Sequence, residues 1–257
     1  MTEIRPNRVK EKLGAGAAVL SVGGLDNSDL IDLVGPLGID AIWLEAEHGP
    51  VDFGRIGDLT RACDLWGMTS IVRVNALDYG TIYRTLDLGA QGIVVPHIDT
   101  ADDARRFVEA AKFAPIGKRG LFTSRQGFGV ADYLQVANDH TLLIALIEDI
   151  KAVGNLDSIL AVEHIDVFFV APSDLASSMG LIGQPEHPDV QRTIDETLKR
   201  IMAAGRNAGT TLVGNRNADR YAAMGVRFLA AALQPWLAAG VQTLRQSLAT
   251  HGGGSSG

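Results

Sequence analysis

Four side chains in this sequence could do chemistry together: Glu148 in ALIEDI, Asp174 in PSDLASS, Arg73 in IVRVN and His48 in EAEHGP. Each follows or ends a run of apolar residues, where an unpaired charge would be costly. Two carboxylates plus water are what Mg²⁺ or Mn²⁺ typically receives from protein, so Glu148 and Asp174 form a candidate metal pair. Arg73 carries a planar fork that grips carboxylates, and imidazole is the side-chain type suited to moving protons near neutral pH. Plainer roles stay open at this point: Asp174 fits a helix cap, Arg73 a structural ion pair, His48 ordinary hydrogen bonding. Glu45, Glu47, Asn75, Asp149 and Ser173 stand at similar positions, and His97 after VVP reads as structural.

Short runs rich in Val, Ile, Leu, Phe and Ala alternate about eight times with segments of helical period, the pattern of a parallel sheet with crossover helices. Strands are expected over 17–22, 41–45, 69–74, 92–96, 142–148, 167–171, 211–213 and 227–231, with helices between them and an extra N-terminal helix near 8–13. The predicted fold class is α/β, a (β/α)₈ TIM barrel forming one domain over 1–251, with 252–257 a Gly/Ser tail outside it. Such barrels build active sites at the C-terminal ends of their strands, where these charged residues fall. The segment 114–138 breaks the rhythm. Its glycines, with Arg119 and Arg125, predict a loop that closes over the substrate, Arg125 contacting it.

The 257 residues suit one large core, with 46% hydrophobic and 21% charged residues as in soluble globular proteins. A net charge of −7 without a basic stripe excludes nucleic acid as the expected partner. The lone Cys63 rules out an internal disulfide and reads as a buried thiol, and no signal-peptide core or membrane-length apolar stretch is seen. A cytoplasmic protein with small-molecule substrates and no membrane partner is expected. Among enzyme classes, a Schiff-base aldolase would need a lysine at a strand end, and none stands there. The loops VGNRN and AALQP lack the Gly-rich amides of a phosphosugar site. Leu233, Trp236, Leu237 and Val241 stand at helical spacing, fit for packing in the barrel or between subunits.

The segments WLEAEHGPVDF, VRVNALD, RTLDLGAQGIVVPHIDTADDA and ALIEDIKAVGNLDSILAVEHIDVFFVAPSDLASSMG together resemble the HpcH/HpaI family of class II pyruvate aldolases, over roughly 20–180. The resemblance implies a homohexameric (β/α)₈ barrel whose divalent metal (Mg²⁺, Mn²⁺ or Co²⁺) is held by Glu148 and Asp174. It implies that Arg73 contacts pyruvate and its enolate, that His48 is the catalytic histidine with Asp87 as its partner, and that amides around Ser173 and Asp174 cradle the pyruvate carboxylate. The implied reaction is reversible aldol cleavage of a 4-hydroxy-2-oxoacid to pyruvate and an aldehyde. The alternatives are an oxaloacetate decarboxylase or citrate-forming lyase on the same scaffold, and a silent 2-oxoacid-binding barrel. Two residues depart from the family pattern, Glu45 where many relatives have Asp and Leu146 where they have Gln, and both bear on the acceptor side of the substrate.

Overall fold

In the computed structural model, which describes residues 3–252, helix α1 (Arg8–Gly14) precedes β1 (Val19–Gly23), β2 (Ala41–Glu45), β3 (Thr69–Arg73), β4 (Gly92–Val95), β5 (Leu142–Ile147), β6 (Val167–Val170), β7 (Asn207–Thr211) and β8 (Phe228–Ala232). Every strand pairs in parallel with the next, and β8 pairs with β1, closing the expected barrel. Between them run α2 (Ser28–Val34), α3 (Phe53–Leu65), α4 (Tyr79–Asp87), α5 (Ala101–Ala111), α6 (Tyr133–His140), α7 (Ile150–Gly154), α8 (Leu156–Leu160), α9 (Pro172–Ser178), α10 (Pro188–Ala203) and α11 (Ala218–Met224). Helix α12 (Leu233–Gly252) ends the described chain. It takes in Gly252, expected to begin the tail, and the rest of that tail lies outside the described residues. Among the described residues no helix is long and apolar enough to cross a membrane.

Local sequence sets where several helices begin. Asn27, Asp52, Asp78 and Thr100 each accept a hydrogen bond from a main-chain amide of the following turn, at Asp29, Arg55, Thr81 and Asp103. Each such cap is worth about 1 kcal/mol and holds the strand-to-helix turn that carries site residues. The strands are buried on both faces, as all-parallel sheets require. Val22, Ile42, Val72 and Ile93 face the helices, whereas Trp43, Ile71, Ile144, Leu146 and Phe169 fill the barrel interior.

Strand β7 runs from Asn207 to Thr211 rather than over 211–213, and α10 stops at Ala203. NAGTT carries no apolar run because its interior position must be small: a Cβ on Gly209 would stand 2.9 Å from Phe169 Cδ2. The glycine makes room for Phe169, which packs at 5.3 Å from Trp43 and 6.0 Å from Phe228, ring centre to ring centre.

The segment 114–138 does not cover the strand C-termini of its own chain, which corrects the expectation of a substrate-closing loop. It crosses the opposite end of the barrel, where helices finish and strands begin. Arg119 Nη2 donates to Asp87 Oδ1 at 2.6 Å, at the last residue of α4. Arg125 pairs with Asp64 at 2.7 Å in the last turn of α3 and donates to Thr60 Oγ1, and Gln126 donates to the Gly89 carbonyl. Part of the segment is helix α6, which sequence reading missed.

Beneath this strap the Lys112 ammonium is 2% exposed and donates to the main-chain carbonyls of Asn138 and Thr141. Burial pushes its pKa down to about 8 from 10.5. The folded state therefore holds fewer protons than the unfolded chain between these values. Stability tied to this group is present above about pH 10.5 and lost as pH falls to about 8. Thermal denaturation of the parent and Lys112→Met across this window should show the parent gaining on the variant as pH rises, by on the order of 3 kcal/mol. Parallel curves would mean that the ammonium keeps an ordinary pKa. Cys63 is fully buried in α3, and burial pushes its thiol pKa up, in line with an inert packing role.

Candidate active site

The EAEHGP turn after β2 is organised by one carboxylate. Glu45 Oε1 accepts from the amides of Glu47 (2.9 Å) and His48 (3.1 Å), while Oε2 accepts from Trp43 Nε1 (3.3 Å) and Arg73 Nε (2.7 Å). The turn needs Gly49, since a Cβ there would lie 2.7 Å from both Glu45 Cγ and Glu45 O. Glu45 is therefore a positioning residue for Arg73 and for the turn, and its extra methylene relative to Asp is used in reaching four donors.

Arg73, 17% exposed at the end of β3, also stands 3.1 Å from Glu47 Oε2 through Nη1. That separation is an ion contact without hydrogen-bond geometry, so Glu47 Oε2 is a buried carboxylate oxygen with no donor. Burial raises the Glu47 pKa, and Arg73 opposes the rise. Among the described residues only Nε of the guanidinium makes a hydrogen bond and Nη1 faces Glu47, leaving Nη2 available to a ligand. Glu47 had drawn no role from sequence. Its one signal was a carboxylate two residues from the Arg73 partner.

Glu148, directly after β5 and 3% exposed, accepts from the main-chain amide of His97 at 2.8 Å. The His97 Nδ1 stands 3.3 Å from the same oxygen. His97 adopts φ +54°, a left-handed conformation that non-glycine residues seldom take, and it aims the amide at the carboxylate. Its structural reading thus acquires a specific partner. Burial raises the Glu148 pKa most, and the nearby carboxylates of Asp174 and Glu47 raise it further. Asp174 lies in the first turn of α9, a helix whose N-terminus no side chain caps, so Asp174 is not the N-cap that its sequence context allowed.

A cavity of about 640 Å³ opens at the strand C-termini beside these groups. Glu45, Arg73, His48, Ser173 and Asp174 line it, and Trp43, Leu146 and Phe169 form an apolar floor. His48 is 70% exposed at the rim, with Nε2 3.8 Å from Glu47 Oε2. Asp87 is not brought to it: this carboxylate ends α4 at the other end of the barrel and bonds Arg119 instead. Arg125, the expected substrate contact, is likewise held at that far end by Asp64.

Two carboxylates, Glu45 and Glu47, thus face the one guanidinium, Glu148 and Asp174 add two more acids at the same mouth, and the Glu47 Oε2 atom is left without a donor. Hard anionic oxygens in excess of cations are the donor set for a divalent ion such as Mg²⁺. Among the described residues no group of three or more His, Cys, Asp or Glu surrounds a single metal position. Two carboxylates nevertheless suffice for an ion that keeps much of its water, so the residues fit.

A closed parallel barrel with an acid-rich mouth over an apolar floor defines the class: a (β/α)₈-barrel enzyme. The chain belongs to the HpcH/HpaI aldolase/citrate lyase family, whose model matches residues 22–238, and it is a lyase of the aldolase type. It is 32% identical over 254 residues to a hydroxypyruvate/pyruvate aldolase of Pseudomonas aeruginosa, covering 97% of this chain and 94% of that one. It is 34% identical over 238 residues to a 4-hydroxy-2-oxo-heptane-1,7-dioate aldolase of Salmonella paratyphi A, covering 91% and 90%. A solved family protein from Burkholderia cenocepacia superposes with a TM-score of 0.88 at 29% identity, covering 94% and 99%.

Proposed function

We propose that this barrel, a single domain over 1–251, cleaves a 4-hydroxy-2-oxoacid reversibly to pyruvate and an aldehyde with the help of a divalent metal. The observation that carries the reading is the set of acids at the strand C-termini, with buried Glu148 in electrostatic reach of Asp174 and Glu47, Glu47 beside Arg73, and Arg73 and Asp174 lining one cavity. The Pseudomonas and Salmonella relatives, both named as aldolases, support it. Glu148 and Asp174 would hold the metal, Mg²⁺, Mn²⁺ or Co²⁺. When bound, it supplies Lewis-acid polarisation of the 2-oxoacid.

The chain's own residues do the rest. Arg73, fixed by Glu45 and Glu47, offers its free Nη2 amino group to the 2-oxoacid oxygen on which negative charge develops. Main-chain amides of Ser173 and Asp174, at the uncapped start of α9, receive the carboxylate. Trp43, Leu146 and Phe169 exclude water from beneath the reacting carbons. His48 at the rim takes the proton from the 4-hydroxyl as the carbon–carbon bond breaks, with Glu47 as the nearest carboxylate of its own chain. Pyruvate release from 4-hydroxy-2-oxopentanoate, followed with and without EDTA and with Mg²⁺ restored, tests this reading. Turnover indifferent to EDTA would remove the metal from it, and no turnover in any state would remove the reaction.

We further propose a homo-oligomer, a hexamer by resemblance to the family, in a cytoplasmic setting that fits the single buried thiol. Leu233 and Trp236 pack on the core, but Leu237, Val241, Leu244 and Leu248 lie exposed at helical spacing along α12. Such a stripe is suited to burial against another copy. Leu244→Glu with Leu248→Glu should lower the mass measured by light scattering, whereas an unchanged mass would exclude this stripe from the interface.

A further inference from the structure

Besides the side lined by Ser173 and Asp174, the cavity has a wall built by the turn after β1 and by the end of β8. There Asp26 lines the cavity. Its main-chain carbonyl accepts from Arg55 Nη2, and the next residue, Asn27, caps α2, so the turn is tied down on both sides. The Asp26 carboxylate itself has no hydrogen bond and no ion pair among the described residues, unlike Glu45, Glu47 and Glu148. Leu25, Gly24 and the alanines at 230–232 share this part of the cavity lining and offer neither a donor side chain nor a cation, and Arg55, engaged with the Asp26 carbonyl, is not among the lining residues. Among the described residues lining the cavity, Arg73 is the one cation, and two carboxylates already face it. Arg125, expected from sequence to contact an anionic or hydroxylated acceptor, is paired at the other end of the barrel.

We propose that the acceptor aldehyde of this site is uncharged and hydroxylated, and that Asp26 is the residue that selects it. A carboxylate held without a partner in a cavity accepts hydrogen bonds from hydroxyl groups, and such charge-assisted bonds are about twice as strong as neutral ones. The same charge repels an aldehyde that ends in a carboxylate, which would find no Lys or Arg among the residues lining this wall. A site built to bind a hydroxyl also discriminates against the analogue that lacks it, since its own polar group is then left unpaired.

The inference rests on the aldolase reading, and the experiment separates the two. The Mg²⁺-loaded enzyme is given saturating pyruvate and, in turn, glyceraldehyde, propanal and succinic semialdehyde, with Asp26→Ala and Asp26→Asn alongside the parent. The parent should prefer glyceraldehyde. In Asp26→Ala the ratio of kcat/KM for glyceraldehyde to that for propanal should fall about tenfold, the loss of about 1.4 kcal/mol of discrimination. In Asp26→Asn, use of succinic semialdehyde should rise. An unchanged ratio, or a parent that prefers the semialdehyde, would overturn the proposal. Equal losses with glyceraldehyde and propanal would also overturn it, because Asp26 would then support the turn rather than read the acceptor. If the parent fails to exchange the methyl protons of pyruvate with Mg²⁺ present, the aldolase reading itself has failed. Exchange by the parent with no acceptor effect in the variants rejects the Asp26 role alone.

Discussion

Replacing Glu148 by Gln is expected to lower metal-dependent kcat/KM by at least about a hundredfold, a loss of about 2.7 kcal/mol or more. Even outer partners of metal ligands cost ten- to a hundredfold when removed, and Glu148 is assigned to the ion directly. The replacement is shape-preserving. The Gln Oε1 can still accept from the His97 amide, so the left-handed turn at His97 keeps its anchor. It also takes a desolvated negative charge out of a cluster containing Asp174 and Glu47. The metal-free variant should therefore melt no lower than the metal-free parent, while the stabilisation that Mg²⁺ gives the parent disappears. Asp174→Asn should behave in the same way. Near-parental turnover in either variant, or an undiminished Mg²⁺ effect on melting, would sink the metal assignment.

Arg73→Lys is the second large effect. Arg73 is gripped by Glu45 at Nε and faces Glu47 at Nη1, and this leaves Nη2 for the substrate. A lysine ammonium is a single point that cannot hold Glu45 and face Glu47 while presenting a planar fork. We expect kcat/KM to fall about a hundredfold, mainly in kcat, because the lost interaction grows as negative charge develops on the oxygen. If the loss lay wholly in KM, Arg73 would be a uniform binding group. If kcat/KM stayed within about twofold, well short of the tenfold that about 1.4 kcal/mol represents, Arg73 would be structural.

The residues behind both expectations were legible in sequence for a physical reason. Strands of a parallel barrel are buried on both faces, so Arg73 and Glu148 stand out as charges closing apolar runs, and the fold explains why such charges share one mouth. Strand β7 was misplaced because its composition answers to a distant side chain: Gly209 is small so that Phe169 can fill the barrel. The 114–138 segment was misread for a similar reason. Glycines and arginines make a loop look like a lid, but its location is fixed by ion pairs with Asp87 and Asp64, which no local pattern reveals. Asp87 itself sits one strand-to-helix unit from Arg73 in sequence yet a full helix length away in space, at the far end of α4. Glu47 stood among the strand-end acids in sequence but without a role, because its significance lies in an orphan oxygen beside Arg73, a matter of geometry rather than spacing.

The central claim is that this mouth activates the methyl group of a 2-oxoacid through a divalent ion held by Glu148 and Asp174. Proton NMR of pyruvate in D₂O tests it without any assumption about the acceptor. The EDTA-treated protein should leave the methyl signal unchanged, and added Mg²⁺ should make it decay by exchange, with Glu148→Gln silent in both conditions. Exchange that persists in EDTA, or that Mg²⁺ fails to start, would contradict the account.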